Sequence, residues 1–294
     1  MLGNLRFIKN YRDNKELRVS FFELANSTFG LNFESWYENG FWGSHYVPFS
    51  YKEDNRIVAN VSVNILDFII EGKQHHALQI GTVMTHPDYQ GRGLSKSLMN
   101  KVFEEFKGSY DFMYLFANDR VLDFYPKFGF KKVQEHQYWT DFMRTGRPNS
   151  QLRKLDINNK DDLNFIYSFA KERIPVSNRF ATSNAPGIFM YHCLNVFPNE
   201  IYFQESEQAI LIFNHNDNEI NIIDIISKQP VNIHHVLNDI ANGEHDRIIF
   251  HYTPDYQGIN LYTYPAKDGG TLFVKTNGDH CFPAQVKHPI TSEA

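Results

Sequence analysis

The strongest constraint on this chain is one short stretch, His86-Pro87-Asp88-Tyr89-Gln90-Gly91-Arg92-Gly93-Leu94-Ser95. The run before it, Ala77 to Met84, is apolar-rich and reads as a strand. After it, Leu94, Leu98, Val102 and Phe106 recur every four residues with Met99 and Phe103 beside them. Lys96, Asn100, Lys101, Glu104 and Glu105 fill the opposite face, so this is a helix with one buried side. Gly108 supplies the left-handed residue that ends such a helix. The unit is therefore strand, glycine loop, helix. Glycines at the helix start let backbone N–H groups converge with no side chain in the way. Those unpaired donors and the helix dipole make an anion site suited to a pyrophosphate. Two phosphate loops are excluded. A P-loop needs glycine directly before Lys-Ser, but Ser95 precedes Lys96-Ser97, and a dinucleotide fingerprint needs a third glycine where Lys96 stands.

Gln90-Gly91-Arg92-Gly93-Leu94-Ser95 resembles the acetyl-coenzyme A loop of the GNAT N-acetyltransferases, Gln/Arg-x-x-Gly-x-Gly/Ala. Ser95 departs from the last position but is small enough to keep phosphate close. Downstream, Tyr110 to Ala117 reads as a buried strand, followed by Asn118-Asp119-Arg120-Val121-Leu122-Asp123-Phe124-Tyr125-Pro126-Lys127-Phe128-Gly129-Phe130. This is similar to the family's Asn-x-x-Ala-x-x-x-Tyr-x-Lys-x-Gly-Phe block at the same spacing, with Val121 in place of alanine. The resemblance spans about residues 5 to 142.

The resemblance implies an α/β (α+β) GNAT fold, a mixed and mostly antiparallel central sheet flanked by helices. It implies acetyl-CoA as cosubstrate, no metal, and acetyl transfer to a primary or secondary amine of a small molecule or peptide. By position, the main chain of Val83, Met84 and Thr85 would hold the pantetheine arm, with the Met84 N–H polarising the thioester carbonyl. Gln90, Gly91, Arg92, Gly93, Leu94 and Ser95 would hold the pyrophosphate, and Asn118 would hydrogen-bond the arm. Tyr125 takes the role of general acid toward the leaving sulfur. A thiol titrates at about 8.5 and a phenol at about 10, so this transfer is uphill yet workable in contact. Plainer roles compete: Tyr125 sits in the aromatic block Phe124, Phe128 and Phe130, Asn118 suits a helix cap, and any strand pairs its main chain with a neighbour.

The base stays open. An alkylamine titrates at about 10.4 and must lose a proton before attack. Many family members carry an acid at the positions matching Gly81 and Thr82, and neither is acidic here. Glu34, Glu38, Asp67, His76, His86 and a water chain are equal candidates. The missing strand acid also keeps a non-catalytic acyl-CoA sensor or scaffold in play, beside a transferase of a longer acyl group.

In the order of the chain, Leu5 to Tyr11 reads as a strand, and Asp13 with Glu16 as a capping-box start for a helix to Phe29. Phe33, Trp36, Tyr37, Phe41, Trp42 and Tyr46 form an aromatic segment that in the GNAT fold walls the acceptor pocket. Most suit a core, and beside Glu34 and Glu38 they also suit a cationic amine. Tyr46 to Tyr51 and Arg56 to Ile70 read as strands, the second with one buried face of period two. Lys131 to Phe142 is a further strand, and Arg144 to Ser150 a linker.

The second half opens with a strand, Leu152 to Ile157, and a helix from Asp161-Asp162; Pro175 to Pro198 shows only loops and short helix. Ala209 to Phe213, Ile220 to Ile226, the helix Val231 to Ala241 ended by Asn242-Gly243, and Arg247 to Tyr252 repeat the strand, strand, helix, strand order of residues 56 to 117. Ser227-Lys228-Gln229-Pro230 replaces the glycine loop, so residues 147–294 read as a degenerate GNAT-like α/β domain behind a GNAT domain at 1–146. A net charge of −5 with no Lys/Arg run argues against nucleic acid or an anionic membrane as partner. A homodimer is compatible with this reading. Met1 to Asn10 has no signal-peptide pattern and no stretch approaches membrane-spanning length, so a cytoplasmic location is expected. Cys193, Cys281 and the histidine pairs His75-His76 and His234-His235 lack metal-ligand spacing.

Overall fold

The computed structural model describes residues 4–144, 151–216, 219–241, 245–267 and 269–294. The linker read at Arg144 to Ser150 lies outside them beyond Arg144, as does the Asn242-Gly243 stop. Strand β1 (Arg6–Lys9) leads to helix α1 (Lys15–Phe29). The cap of α1 is Asn14, whose side chain accepts from the Leu17 N–H, and not the expected Asp13. A one-turn helix α2 (Glu34–Glu38) precedes the antiparallel run β2 (Tyr46–Glu53), β3 (Arg56–Ile70) and β4 (Lys73–Thr85). Helix α3 (Leu94–Glu105) crosses to β5 (Phe112–Ala117), which lies parallel to β4. Leu94, Leu98, Met99 and Val102 are its buried face, as the four-residue spacing requires.

Strand β3 departs from the one-sided reading: Asn60 and Ser62 are fully buried too. Helix α1 packs over that face, and the polar side chains satisfy one another beneath it. Tyr11 shares a hydrogen bond with Ser50 (2.7 Å), Ser50 donates to Asn60 (2.8 Å), and the Asn60 amide donates to Ser62 (2.9 Å).

The expected strand Lys131 to Phe142 is two strands, β6 (Lys131–Lys132) and β7 (His136–Met143), in different sheets. The break falls at Glu135, buried and bonded to the His288 N–H (2.8 Å) and Lys287 Nζ (3.2 Å). There follow β8 (Leu152–Lys154), α4 (Lys160–Glu172), β9 (Phe180–Ser183), α5 (Pro186–Asn195), β10 (Ile201–Gln204), β11 (Ala209–Asn216) and β12 (Glu219–Ser227). The chain continues through α6 (Ile233–Ile240), β13 (His245–Phe250), β14 (Tyr262–Pro265) and β15 (Thr271–Thr276). The first sheet runs β1-β2-β3-β4-β5-β15-β6, with β9 also on β3, and the second runs β14-β7-β13-β12-β11-β10-β8.

The antiparallel β11–β12 pair and the parallel β12–β13 pair across α6 repeat the β3–β4 and β4–β5 pairs across α3. The two sheets do not part at residue 146, however. Strand β15 sits between β5 and β6, β9 pairs with β3, and β7 sits between β13 and β14, so the second half lends the first sheet two strands and the first half lends the second sheet one. No described helix is long and apolar enough to cross a membrane.

Two features open the first sheet. Strands β4 and β5 pair only over Ala77–Gln79 against Phe112–Tyr114. Beyond that, the β3–β4 register slips: Ser62 faces Gly81 and Asn60 faces Met84, leaving Val61 opposite both Thr82 and Val83. This is a β-bulge, and Thr82 takes φ +46°, an uncommon place for a β-branched residue. It bends β4 away from β5, and the sheet splays.

Candidate active site in the splayed sheet

The splay opens a cavity of about 1180 Å³ that reaches from the glycine loop to α5. At the loop end, Gly91 and Gly93 have φ of +74° and +73°, and no atom stands within 4 Å of where their Cβ atoms would be. Gly93 caps α3 without a side-chain bond, so the first-turn N–H groups of α3 are left for an anion. Gln90, Gly91, Gly93, Leu94 and Ser95 all line the cavity. The Gln90 amide donates to the Thr85 carbonyl (3.2 Å), and Ser95 shares a hydrogen bond with the Thr85 hydroxyl (3.0 Å).

Arg92 does not line it. Its guanidinium turns back to donate to the Asp88 carbonyl (2.7 Å) and lies 4.8 Å from the Tyr89 ring centre. The cations that do line the cavity are Lys96, Arg120 and Lys127, which the sequence reading passed over. Lys127 stands inside the Tyr-x-Lys-x-Gly-Phe block, so the signal for it was present.

Along β4, Val83 and Thr85 line the cavity and Met84 does not. The His86 N–H donates to the Val58 carbonyl (2.8 Å), and Met84 is paired with Asn60. Hydrogen-bonded pairs alternate along an antiparallel ladder, so Met84 turns its N–H toward β3 and buries its side chain under α1. This register sets the Met84 N–H against β3 and away from the cavity, where the expected role toward the thioester would need it, and the main chain of its neighbours is what faces the splay.

Tyr125 lines the cavity at the head of a short 3-10 turn, Tyr125–Phe128, and is 5% exposed. Its ring meets Phe124 at 5.2 Å and Phe273 of β15 at 5.9 Å, and burial pushes its hydroxyl up to about 12. Asn118 is exposed at the same wall; its side-chain oxygen accepts from the Arg120 N–H (3.1 Å) and caps the turn, so the competing plainer role is met while the residue also lines the cavity.

At the far end, Phe33, Trp36 and Tyr46 line the cavity, whereas Tyr37, Phe41 and Trp42 pack into the core around α1. The Tyr46 hydroxyl shares a hydrogen bond with Thr82 (2.8 Å) and holds the bulge. None of the side chains considered as base reaches this space. Glu34 and Glu38 are exposed outside it, Asp67 is bonded to Gln74, His76 and Asn184, and His86 lies against Arg56.

Two acidic side chains line the cavity, Asp123 in the segment after β5 and Glu293 toward α5. Burial pushes the Glu293 carboxyl up to about 7, with the Glu135 carboxylate adding and Lys287 opposing. The segment bearing it is laid along β4. The Gln79 amide, oriented so that both ends are satisfied, donates to the Ser292 carbonyl (3.0 Å) and accepts from the Ala294 N–H (2.9 Å). A Cβ on Gly81 would stand 3.2 Å from the Ala294 Cβ, so the strand carries no side chain where this segment passes. Thr182 donates to Ser292 (2.7 Å), and Thr291 donates to Asp224, itself held by Arg173 through two bonds of 2.7 Å. His192 Nε2 meets the Glu293 carbonyl at 2.7 Å. Burial drives that imidazole down to about 4, so it is neutral at pH 7. Nothing in the sequence around Glu293 marks it.

A family model described as an acetyltransferase (GNAT) domain matches residues 21–133. No curated protein matches the chain. Among solved structures, a probable N-acyltransferase of Enterococcus faecalis shares the fold with a TM-score of 0.61 at 13% identity, over 92% of this chain and 72% of that one. The Eis1 protein of Mycobacterium abscessus is similar with a TM-score of 0.57 at 11% identity, over 91% and 72%. A GCN5-related N-acetyltransferase of Kribbella flavida is similar with a TM-score of 0.55 at 13% identity, over 92% and 72%. At such identities these structures establish the fold alone. Residues 21–133 thus match the GNAT acetyltransferase domain, and the chain as a whole has the fold of these GNAT-type structures.

Proposed function

We propose that the chain is an acetyl-CoA-dependent N-acetyltransferase with one cofactor site, acting by direct attack of an amine on the thioester. The observation that carries this reading is the meeting, in one cavity, of the α3 anion site, the β4 main chain, Tyr125 and Glu293. Gly91, Gly93 and the first turn of α3 hold the pyrophosphate, with Lys96, Arg120 and Lys127 as the cations nearest to further phosphate charge. Acetyl-CoA brings an activated acetyl group; the protein's own groups move the protons. Glu293, poised near neutrality, takes a proton from the incoming ammonium. As the N–C bond forms, the Val83 main chain faces the oxygen that gains charge. As the C–S bond breaks, Tyr125 gives its proton to the sulfur, and the second proton released by the amine nitrogen restores Tyr125 through solvent. At about 12 the Tyr125 hydroxyl is a weaker acid than an ordinary phenol, so its donation must be concerted with thiolate departure.

The ground for a non-catalytic sensor was the missing strand acid, and Glu293 supplies one from elsewhere. Calorimetric titration with coenzyme A, run beside an assay of thiol release with amines, tests the reading. Saturation near one equivalent with amine-dependent release supports it. Two equivalents would mean the second half binds as well, and tight binding without release with any amine would return the sensor.

A further inference from the structure

The half of the cavity away from the glycine loop has a composition of its own. Phe33, Trp36, Tyr46, Ile188, Tyr191 and Ile290 wall it. Phe33 and Tyr191 stand 5.3 Å apart between ring centres, and Trp36 meets Tyr46 edge-on at 5.3 Å. Their polar atoms are engaged: the Trp36 indole N–H donates to the Gly187 carbonyl (2.7 Å), and the Tyr46 hydroxyl is bonded to Thr82 (2.8 Å). What the rings offer a ligand is carbon. The apolar character continues to the rim, where Phe29 and Val196 line the cavity at 43% and 47% exposure, among the few large apolar side chains left in solvent.

Charge is sparse in the same half. The lining cations, Lys96, Arg120 and Lys127, belong to α3 and the segment after β5, at the phosphate end. Toward α5 the ionisable lining groups are Glu293, the neutral His192 and tyrosines that burial keeps protonated. A ligand seated here meets one acidic side chain, Glu293, and no cationic one. An amine bearing a carboxylate would bury that charge unpaired, a polyamine would bury several ammonium groups with a single acidic side chain at this end to share, and a peptide would strand its amides.

Resting on the N-acetyltransferase reading, we infer that the acceptor is a monoamine carried on an apolar aromatic or alkyl body without a carboxylate. Its ammonium would meet Glu293 while its body packs among Phe33, Trp36 and Tyr191 and reaches Val196 at the rim. The test follows thiol release from acetyl-CoA with 2-phenylethylamine, hexylamine, spermidine and phenylalanine. Binding of each to the coenzyme A-saturated protein is measured by calorimetry alongside. The expected result is a kcat/KM for phenylethylamine and hexylamine at least about tenfold above spermidine and phenylalanine. Val196→Asp, a change at an exposed site, should shift the ratio of spermidine to hexylamine upward by about tenfold. Preference for spermidine, or equal use of phenylalanine and phenylethylamine, overturns the inference and leaves the N-acetyltransferase reading standing. Binding of phenylethylamine without release from any amine upholds the acceptor class and overturns that reading. Neither binding nor release with any of the four overturns both.

Discussion

Two side chains carry the proposed chemistry, and burial moves them in ways that suit opposite tasks. Tyr125 is pushed up to about 12 and stays protonated, whereas Glu293 is pushed up to about 7 and shares its time between acid and base. Tyr125→Phe keeps the ring against Phe124 and Phe273 and deletes the proton. Turnover should fall by roughly 10²- to 10⁴-fold while acetyl-CoA affinity moves little, as read by thiol release beside titration. Unchanged turnover would leave Tyr125 a core residue. For Glu293, kcat/KM of the wild type should climb as pH rises through about 7, since the carboxylate is the working form; Glu293→Gln should lower the rate and flatten the climb. The same shift has a stability sign. The carboxyl rises from its ordinary 4.5 to about 7 on folding, so between those values the folded chain binds the extra proton. Stability from this group therefore declines from pH 4.5 to 7 and is lowest above. Glu293→Gln should melt higher than wild type at pH 8 and level with it at pH 4.5, and thermal denaturation at both values checks the sign.

At the scale of elements, the site depends on a bulge and a helix start. The bulge at Thr82 splays β4 from β5, and Gly81 next to it leaves room for the segment bearing Glu293. Gly81→Glu would put an acid on the strand itself, yet its Cβ would meet Ala294 at 3.2 Å before the rest of the side chain is placed. We expect less thiol release, not more, because residues 292–294 must move aside. A faster enzyme would show that Glu293 is not the base. At the helix start, Gly93 holds φ +73° beside the cavity. Gly93→Val forces a β-branched residue into that conformation and sets methyl groups where phosphate must approach. Coenzyme A affinity should collapse while circular dichroism stays close to wild type, and full affinity in a folded variant would reduce the loop to a turn.

At the scale of the whole molecule, the halves are interlocked. Strand β15 completes the first sheet and carries Phe273 to Tyr125; β7 completes the second sheet; Glu293 reaches β4 from the far half. Residues 1–146 made alone would lack the strand between β5 and β6, leaving Leu272, Phe273 and Val274 without replacement in the core. We expect that fragment neither to bind coenzyme A nor to show a cooperative melt, while the full chain unfolds in a single calorimetric transition. A well-folded, ligand-binding fragment would make the exchange incidental.

What the amino-acid sequence determined by itself was local. The strand Ala77 to Met84, the glycine loop, the Leu94 helix, the Phe112 strand and the Tyr125 turn are contiguous, and each is set by hydrophobic period or by glycine placement. The crossover around α6 was legible for the same reason, since a β-α-β order is written in periods of two and 3.6. Other features belonged to tertiary structure alone. Whether Met84 presents its N–H to a ligand depends on its register with β3, which only the paired strands define. The split of Lys131 to Phe142 between two sheets depends on Glu135 meeting Lys287 and His288 from the other end of the chain. Glu293 becomes a candidate base only because Gln79, Thr182 and Asp224 pin its segment beside Gly81. Each of these rests on contacts between residues far apart in sequence, and no local pattern encodes which distant partner the packed core will select.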